Sequence, residues 1–401
     1  MRAVWWLFPL VTGCATDEAS TAEHASALTA EVRQARAALI RDSAAEMGVH
    51  NAALLGGIAI SETNLAHCWS EATYACKGPA SPSCDGGPII AGAADGPCSD
   101  EQGGLGMFQF DAGTYSQTIS TYTDSILTVE GNTAQAVAFV VDKVILDIDG
   151  VNDWQAAVDW INSIPMRAGD PLADRWGRLM ACRYNGCCSD SSLCTSRAAG
   201  YRDNAIDLYA ELGAEFWATA DRCAAIPDGG VIDQRTECYV AAGEPRYWRR
   251  EASGFGDDRE WTGTTAAGKP SNYAQWLLRP ARATTYTIEA YVTGGEATAA
   301  SYEIHHAGMT DTVMIDQAAQ SGFVTLGDFE LTGDGSEYVL LGDNTGTADQ
   351  KLVYDALRVT ATDGSDGNGG GDDLGNCSTG GRASFGAIAA VVALVLRRRR
   401  R

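Results

Sequence analysis

Basic residues are scarce in this chain, with 29 Lys+Arg against 52 Asp+Glu and a formal net charge of −23 over 401 residues. A surface so acidic argues against nucleic acid and anionic membrane surfaces as partners, because both repel it. No apolar run reaches the roughly twenty residues that a helix needs to cross a bilayer; the stretch from Ser384 to Leu396 has thirteen. Histidine is sparse too, at five residues. Only His67 lies near the cysteine clusters, and no CxxC pair repeats, so neither a zinc site nor any other metal or cofactor is expected.

What is present begins with an export pattern. Arg2 is followed by an apolar run from Ala3 to Val11 and then by Val11-Thr12-Gly13-Cys14, the layout of a secretory signal over residues 1–13. Val-Thr-Gly-Cys resembles the bacterial lipobox, which implies lipidation of Cys14; an ordinary signal peptide with an incidental cysteine is the alternative. At the far end a Gly/Asp-rich linker over residues 363–376 leads to Cys377, the short apolar stretch and five arginines. Residues 377–401 resemble the myxobacterial C-terminal sorting signal (MYXO-CTERM), with a simple tail anchor as the bland reading. The expected location is the cell envelope, at the outer membrane or cell surface, with attachment through the lipid or the C-terminal segment.

Setting Cys14 and Cys377 aside leaves Cys68, Cys76, Cys84, Cys98, Cys182, Cys187, Cys188, Cys194, Cys223 and Cys238, an even set that reads as disulfides in an exported chain. Spacing does not assign their pairing.

The chain is expected to be multidomain. Residues 26–225 are mainly helical, with apolar spacing of helical period over 28–47, 134–148, 154–161, 172–182 and 198–217. The segment from Cys68 to Gly104 is too long for a structureless connection unless function or disulfides order it. After Pro227-Asp228-Gly229-Gly230 the period changes to alternation. Short runs over 286–292, 302–306, 312–315, 324–331, 338–341 and 354–359, separated by Gly/Asp/Asn turns, predict an all-β sandwich or jelly roll over residues 232–362.

Three motifs in the helical half carry chemistry. The apolar run Leu54 to Ile60 ends in Ser61-Glu62-Thr63-Asn64, so a lone carboxylate emerges at the end of a buried helix, where desolvation can hold a proton near neutral pH. Gly103-Gly104-Leu105-Gly106-Met107-Phe108-Gln109-Phe110 is a glycine-rich turn with one amide. Ala181-Cys182-Arg183-Tyr184-Asn185-Gly186 puts Tyr184 and Asn185 at another helix end, a sequence that also suits an ordinary turn.

In this order the motifs resemble the lysozyme-like lytic transglycosylases, through Glu62-Thr63, Gly106-Met107-Phe108-Gln109 and Tyr184-Asn185-Gly186, over roughly residues 45–215. The resemblance implies that Glu62 protonates the scissile glycosidic oxygen of peptidoglycan, that Gln109 and Tyr184 hydrogen-bond the glycan, and that Asn185 helps hold the cleft. A transglycosylase then uses the sugar's own 6-hydroxyl as nucleophile; a muramidase needs a second carboxylate, for which Asp85, Asp95, Asp100, Glu101 and Asp111 are candidates. Thr63 stands where the family has serine, and the cysteine-bearing insertion between the first two motifs is a larger departure. Chitin or another aminosugar polymer is the related substrate, and a surface polysaccharide-binding or matrix protein is the non-enzymatic alternative. The net charge gives no steering toward anionic peptidoglycan, which favours a localised, tethered role.

In the C-terminal half, 302–308, 313–317, 323–329 and 354–359 resemble the golvesin-type domain, which implies an accessory, carbohydrate-binding role. His305 and His306 are adjacent on a predicted strand and point to opposite faces, so one is expected packed and one exposed. Trp248, Trp261 and Trp276 offer rings that either stack on sugars or pack in the core.

Overall fold

The computed structural model describes residues 28–72, 75–92, 98, 101–219, 223 and 229–362. Cys14, Cys377, Asp95, Asp100, the signal, the linker and the sorting segment lie outside the described residues. The helices and strands fall in one compact unit ending at Thr362.

Among the described residues, eight α-helices precede the sandwich. α1 (Ala30–Glu46) starts where Thr29 accepts from Val32 N, and it buries Ala37, Ile40 and Ala44. α2 (Ala53–Thr63) is buried almost all round, from Ala53 to Ala59, and stops at the left-handed Asn64 (φ 55°). A helix apolar on every face belongs inside a core. Its glycines make room for a neighbour: a Cβ on Gly57 would stand 2.6 Å from that of Ala205.

The insertion after α2 is ordered by a two-stranded antiparallel hairpin, β1 (Cys76–Ala80) with β2 (Pro88–Ala91). α3 (Tyr115–Tyr122), α4 (Val129–Asp147), α5 (Trp154–Asn162) and α6 (Pro171–Arg183) follow, capped by Thr114, Thr128, Asp153 and Asp170 respectively. The period over 198–217 predicts one helix; the chain instead forms α7 (Ser192–Leu212) and α8 (Ala214–Trp217). The break falls at Gly213, whose φ of 84° an L-residue rarely adopts. α7 packs on α2 and α6, so Ala205 and Leu208 share one apolar core with Leu54, Ile58, Phe108 and Trp176.

The C-terminal half is an all-β sandwich, as its alternation predicts. Its strands are β3 (Gly229–Ile232), β4 (Tyr239–Gly243), β5 (Arg249–Glu251), β6 (Arg259–Gly263), β7 (Asn272–Leu277), β8 (Thr284–Val292) and β9 (Ala300–His306). Then come β10 (Met309–Ile315), β11 (Gly322–Leu331), β12 (Tyr338–Gly342), β13 (Lys351–Tyr354) and β14 (Leu357–Ala361). A five-stranded sheet ordered β10-β9-β12-β7-β4 and a four-stranded one ordered β11-β8-β14-β3 are joined by a small third sheet, β13-β6-β5. All pairings are antiparallel. Alternation fixes the faces: Tyr286, Ile288, Ala290 and Val292 of β8 point inward, as do Ala300, Tyr302, Ile304 and His306 of β9.

One strand expectation is corrected. The run 354–359 reads as a single strand, yet it divides between two sheets at Asp355-Ala356. The Asp355 carboxylate accepts from Phe255 N, and its carbonyl accepts from Trp276 Nε1 at 3.0 Å. Those bonds take the chain out of the ladder at that point.

The sandwich sits directly against the helices. Lys269 Nζ donates to Asn152 O at 2.8 Å, Arg246 donates to Thr121 O at 3.3 Å, and Gln135 Nε2 reaches Glu244 at 3.5 Å.

Candidate active site

The three motifs, far apart in sequence, meet at the C-terminal end of α2. Glu62 is half-buried in the last turn. Thr63, next to it, is 2 % exposed, and its hydroxyl lies 3.0 Å from Met107 O, which ties the helix end to the glycine-rich turn. Tyr184, at the end of α6, donates its phenol to Phe108 O, which ties the third motif to the second.

The turn is held from behind by Asn132, fully buried on α4. It accepts from Phe108 N at 2.9 Å and donates to Ile126 O at 2.9 Å and Leu105 O at 3.3 Å. Gly106 is required there: its φ is +75°, and a Cβ would lie 2.6 Å from Asn132 Nδ2.

Tyr201 of α7, 3 % exposed, donates to Glu62 Oε1 at 2.6 Å. Sequence reasoning passed over this neighbour of the candidate acid. Burial and the Glu62 carboxylate push the Tyr201 phenol well above its usual range, while a hydrogen bond from Asn185 opposes that shift. The phenol therefore stays protonated and keeps donating to Glu62. Asn185, itself exposed, belongs to this chain of contacts through Tyr201. Burial, then Glu62 and Tyr201, likewise raise the Tyr184 phenol.

An aromatic row runs away from Glu62. Ring centroids are 6.3 Å apart for Tyr201 and Tyr184, 5.2 Å for Tyr184 and Phe139, 6.5 Å for Phe139 and Phe110, and 5.3 Å for Phe110 and Tyr122. Tyr184, Phe139 and Tyr122 are each half-buried, and Lys143 Nζ lies over the Phe139 ring, 4.7 Å from its centroid.

The other sequence candidates divide. Gln109 sits in the turn, at φ +53°, with its amide nitrogen bonded back to Gly106 O at 2.7 Å. Among the described candidates for a second carboxylate, Asp85, Glu101 and Asp111 are all exposed. Asp111 caps its own loop by accepting from Gly113 N at 2.7 Å.

The ten cysteines pair as 68–84, 76–98, 182–188, 187–194 and 223–238. The first two bonds brace the insertion, and Gly106 N donates to Ile90 O at 3.0 Å, so the insertion packs on the glycine-rich turn. Cys182–Cys188, six positions apart, closes a loop that contains Tyr184 and Asn185. Glu71 fastens the insertion to α1, accepting from His67 N, Cys68 N and the buried Arg36. His67 is sealed inside, and burial lowers its pKa to about 4, so it stays neutral. Among the described residues no cluster of three His, Cys, Asp or Glu is placed to hold a metal, and no helix is long and apolar enough to cross a membrane.

In the sandwich, His306 is buried and His305 half-exposed, on opposite faces of β9; His305 stacks on Tyr338 at 4.1 Å. Trp276 is a core residue at 1 % exposure, whereas Trp248 and Trp261 are half-buried.

The C-terminal half is thus an antiparallel β-sandwich of two main sheets braced by a third. Residues 231–361 match the Golvesin C-terminal domain, as the sequence resemblance implied. Among solved structures, a Paenibacillus xanthan lyase is similar at 18 % identity and a TM-score of 0.30, covering 33 % of this chain and 13 % of the lyase chain. No curated protein matches the chain.

Proposed function

We propose that this is an exported glycan-cleaving enzyme of lysozyme-like type, acting on peptidoglycan or a related aminosugar polymer, with a sandwich that binds the polysaccharide. The observation that carries the reading is the convergence of three sequence-distant motifs on one carboxyl group. Glu62 is bonded by a buried phenol, with the glycine-rich turn and the Tyr184 loop fixed around it by Thr63 and Tyr184. Surface acids are seldom given such a setting.

In this reading Glu62 donates its proton to the scissile glycosidic oxygen. As the carboxylate forms, the Tyr201 hydroxyl stabilises it with a charge-assisted hydrogen bond. The same carboxylate then takes the proton of the attacking hydroxyl, from the sugar's own 6-position in a transglycosylase or from water in a muramidase. The transglycosylase route, which needs no second carboxylate, is the one this reading expects. Tyr184, Phe139 and Tyr122, half-buried in a row that starts beside Glu62, are the rings this reading sets along the path of the sugars.

Purified sacculi treated with the wild type should release muropeptides with anhydro ends, identified by mass spectrometry, and reducing ends would assign the muramidase route instead. A second reading, a surface polysaccharide-binding protein without catalysis, draws support from the family match, which falls wholly in the sandwich.

A further inference from the structure

Where the sandwich meets the helices there is a cavity of about 790 Å³, within the size range of small-ligand sites. Its two walls differ in charge. Arg246, Arg249 and Arg250, from the segment beginning the third sheet, line one side; Glu46, Asp124 and Glu130, from the helical half, line the other. Three arginines within five residues stand out in a chain of net charge −23.

A seam held by ion pairs would close the arginines on Asp124 and Glu130. Among the described residues no ion pair joins any of the three arginines to Asp124 or Glu130. Arg246 and Arg250 pair loosely or within the sandwich, Arg246 with Glu244 at 3.7 Å and Arg250 with Asp258 at 2.8 Å and Glu260 at 3.7 Å. Arg249 has no carboxylate partner among the described residues; its guanidinium is bonded to the carbonyls of Arg246 and Trp248. Arg246 Nε is buried with no hydrogen-bond partner. Arg246 also reaches toward the end of the aromatic row: it donates to Thr121 O, and its charge acts on the Tyr122 phenol.

We infer that this seam cavity binds a short amphoteric peptide, its carboxylates against Arg246 and Arg249 and its ammonium group against Asp124 and Glu130. The inference deepens the proposed function: peptidoglycan carries such peptides on its glycan, chitin does not, and the cavity would seat the peptide while the aromatic row carries the sugars. It also gives the sandwich a share in the substrate site beyond holding polysaccharide.

The test is titration of the full exported chain with the tetrapeptide L-Ala-γ-D-Glu-meso-diaminopimelyl-D-Ala, followed by calorimetry at low salt. The wild type should bind it, Arg249→Ala should weaken binding more than tenfold, and blocking the peptide's free amines by acetylation should weaken it comparably. Thermal unfolding verifies the Arg249→Ala fold, and the longer, uncharged Arg249→Gln serves if that variant is damaged. Glu62→Gln should bind the peptide as the wild type does, so loss of cleavage and loss of peptide binding are read separately. No binding to the wild type at millimolar peptide overturns the inference, as does equal binding by a folded, charge-removing Arg249 variant or by the acetylated peptide.

Discussion

Replacing Tyr201 with phenylalanine removes one oxygen and keeps the ring that packs 6.3 Å from Tyr184. The lost contact is the 2.6 Å hydrogen bond to Glu62 Oε1. A hydrogen bond to a charged group contributes about 1.5–3 kcal/mol, and the bond matters most once Glu62 has given up its proton. At about 1.4 kcal/mol per decade, the expected loss is roughly 10- to 150-fold in kcat. KM should change little, because Tyr201 is 3 % exposed and, in the proposed reading, positions the acid without touching the glycan. Tyr184→Phe is the control: its hydroxyl bonds the backbone of Phe108, so its loss should lower stability by about 1–2 kcal/mol. The assay is turnover of labelled sacculi with urea unfolding in parallel. A folded Tyr201→Phe protein with kcat within twofold of wild type would refute the role given to this bond.

Asn132→Ala should cost at least about 3 kcal/mol in urea unfolding, since it strips partners from three backbone groups around the glycine-rich turn; a cost under 1 kcal/mol would mean the turn is held elsewhere. Asp355 is 2 % exposed, and burial, with Asp233 adding, raises its carboxyl pKa to about 7. The folded state therefore keeps a proton that the unfolded chain releases near pH 4, so this group's stabilisation is full at low pH and fades as pH rises toward 7. Asp355→Asn should remove that fade, making the variant relatively more stable at pH 8 than at pH 5; a pH-independent difference in denaturant midpoint would count against the raised carboxyl.

Patterns of local origin were legible in the sequence. The alternation of β8 and β9, the apolar run of α2 and the helical period of α4 to α6 each report which face is buried, and burial sets the element. The split at Asp355 was not legible, because it rests on bonds to Phe255 and Trp276, remote in sequence. The third sheet was missed because β5 and β6 have three and five residues and arginines among them. At the site, Glu62, the turn and Tyr184 carry local signatures, but Tyr201 and Asn132 look like ordinary helix residues. Only packing of α7 on α2, through the glycines at 56 and 57, brings the Tyr201 phenol to Glu62. A polar residue inside an otherwise buried helix face was the one available signal for Asn132.

The central claim is that the carboxyl group at the end of α2 cleaves the glycan. Its most direct test is release of soluble muropeptides from purified sacculi by the wild type and by Glu62→Gln, which keeps the side chain's shape and removes its proton. The expected result is release by the wild type and at least a thousandfold less by a variant of unchanged unfolding midpoint. Equal release by both, or none by either, would contradict the claim.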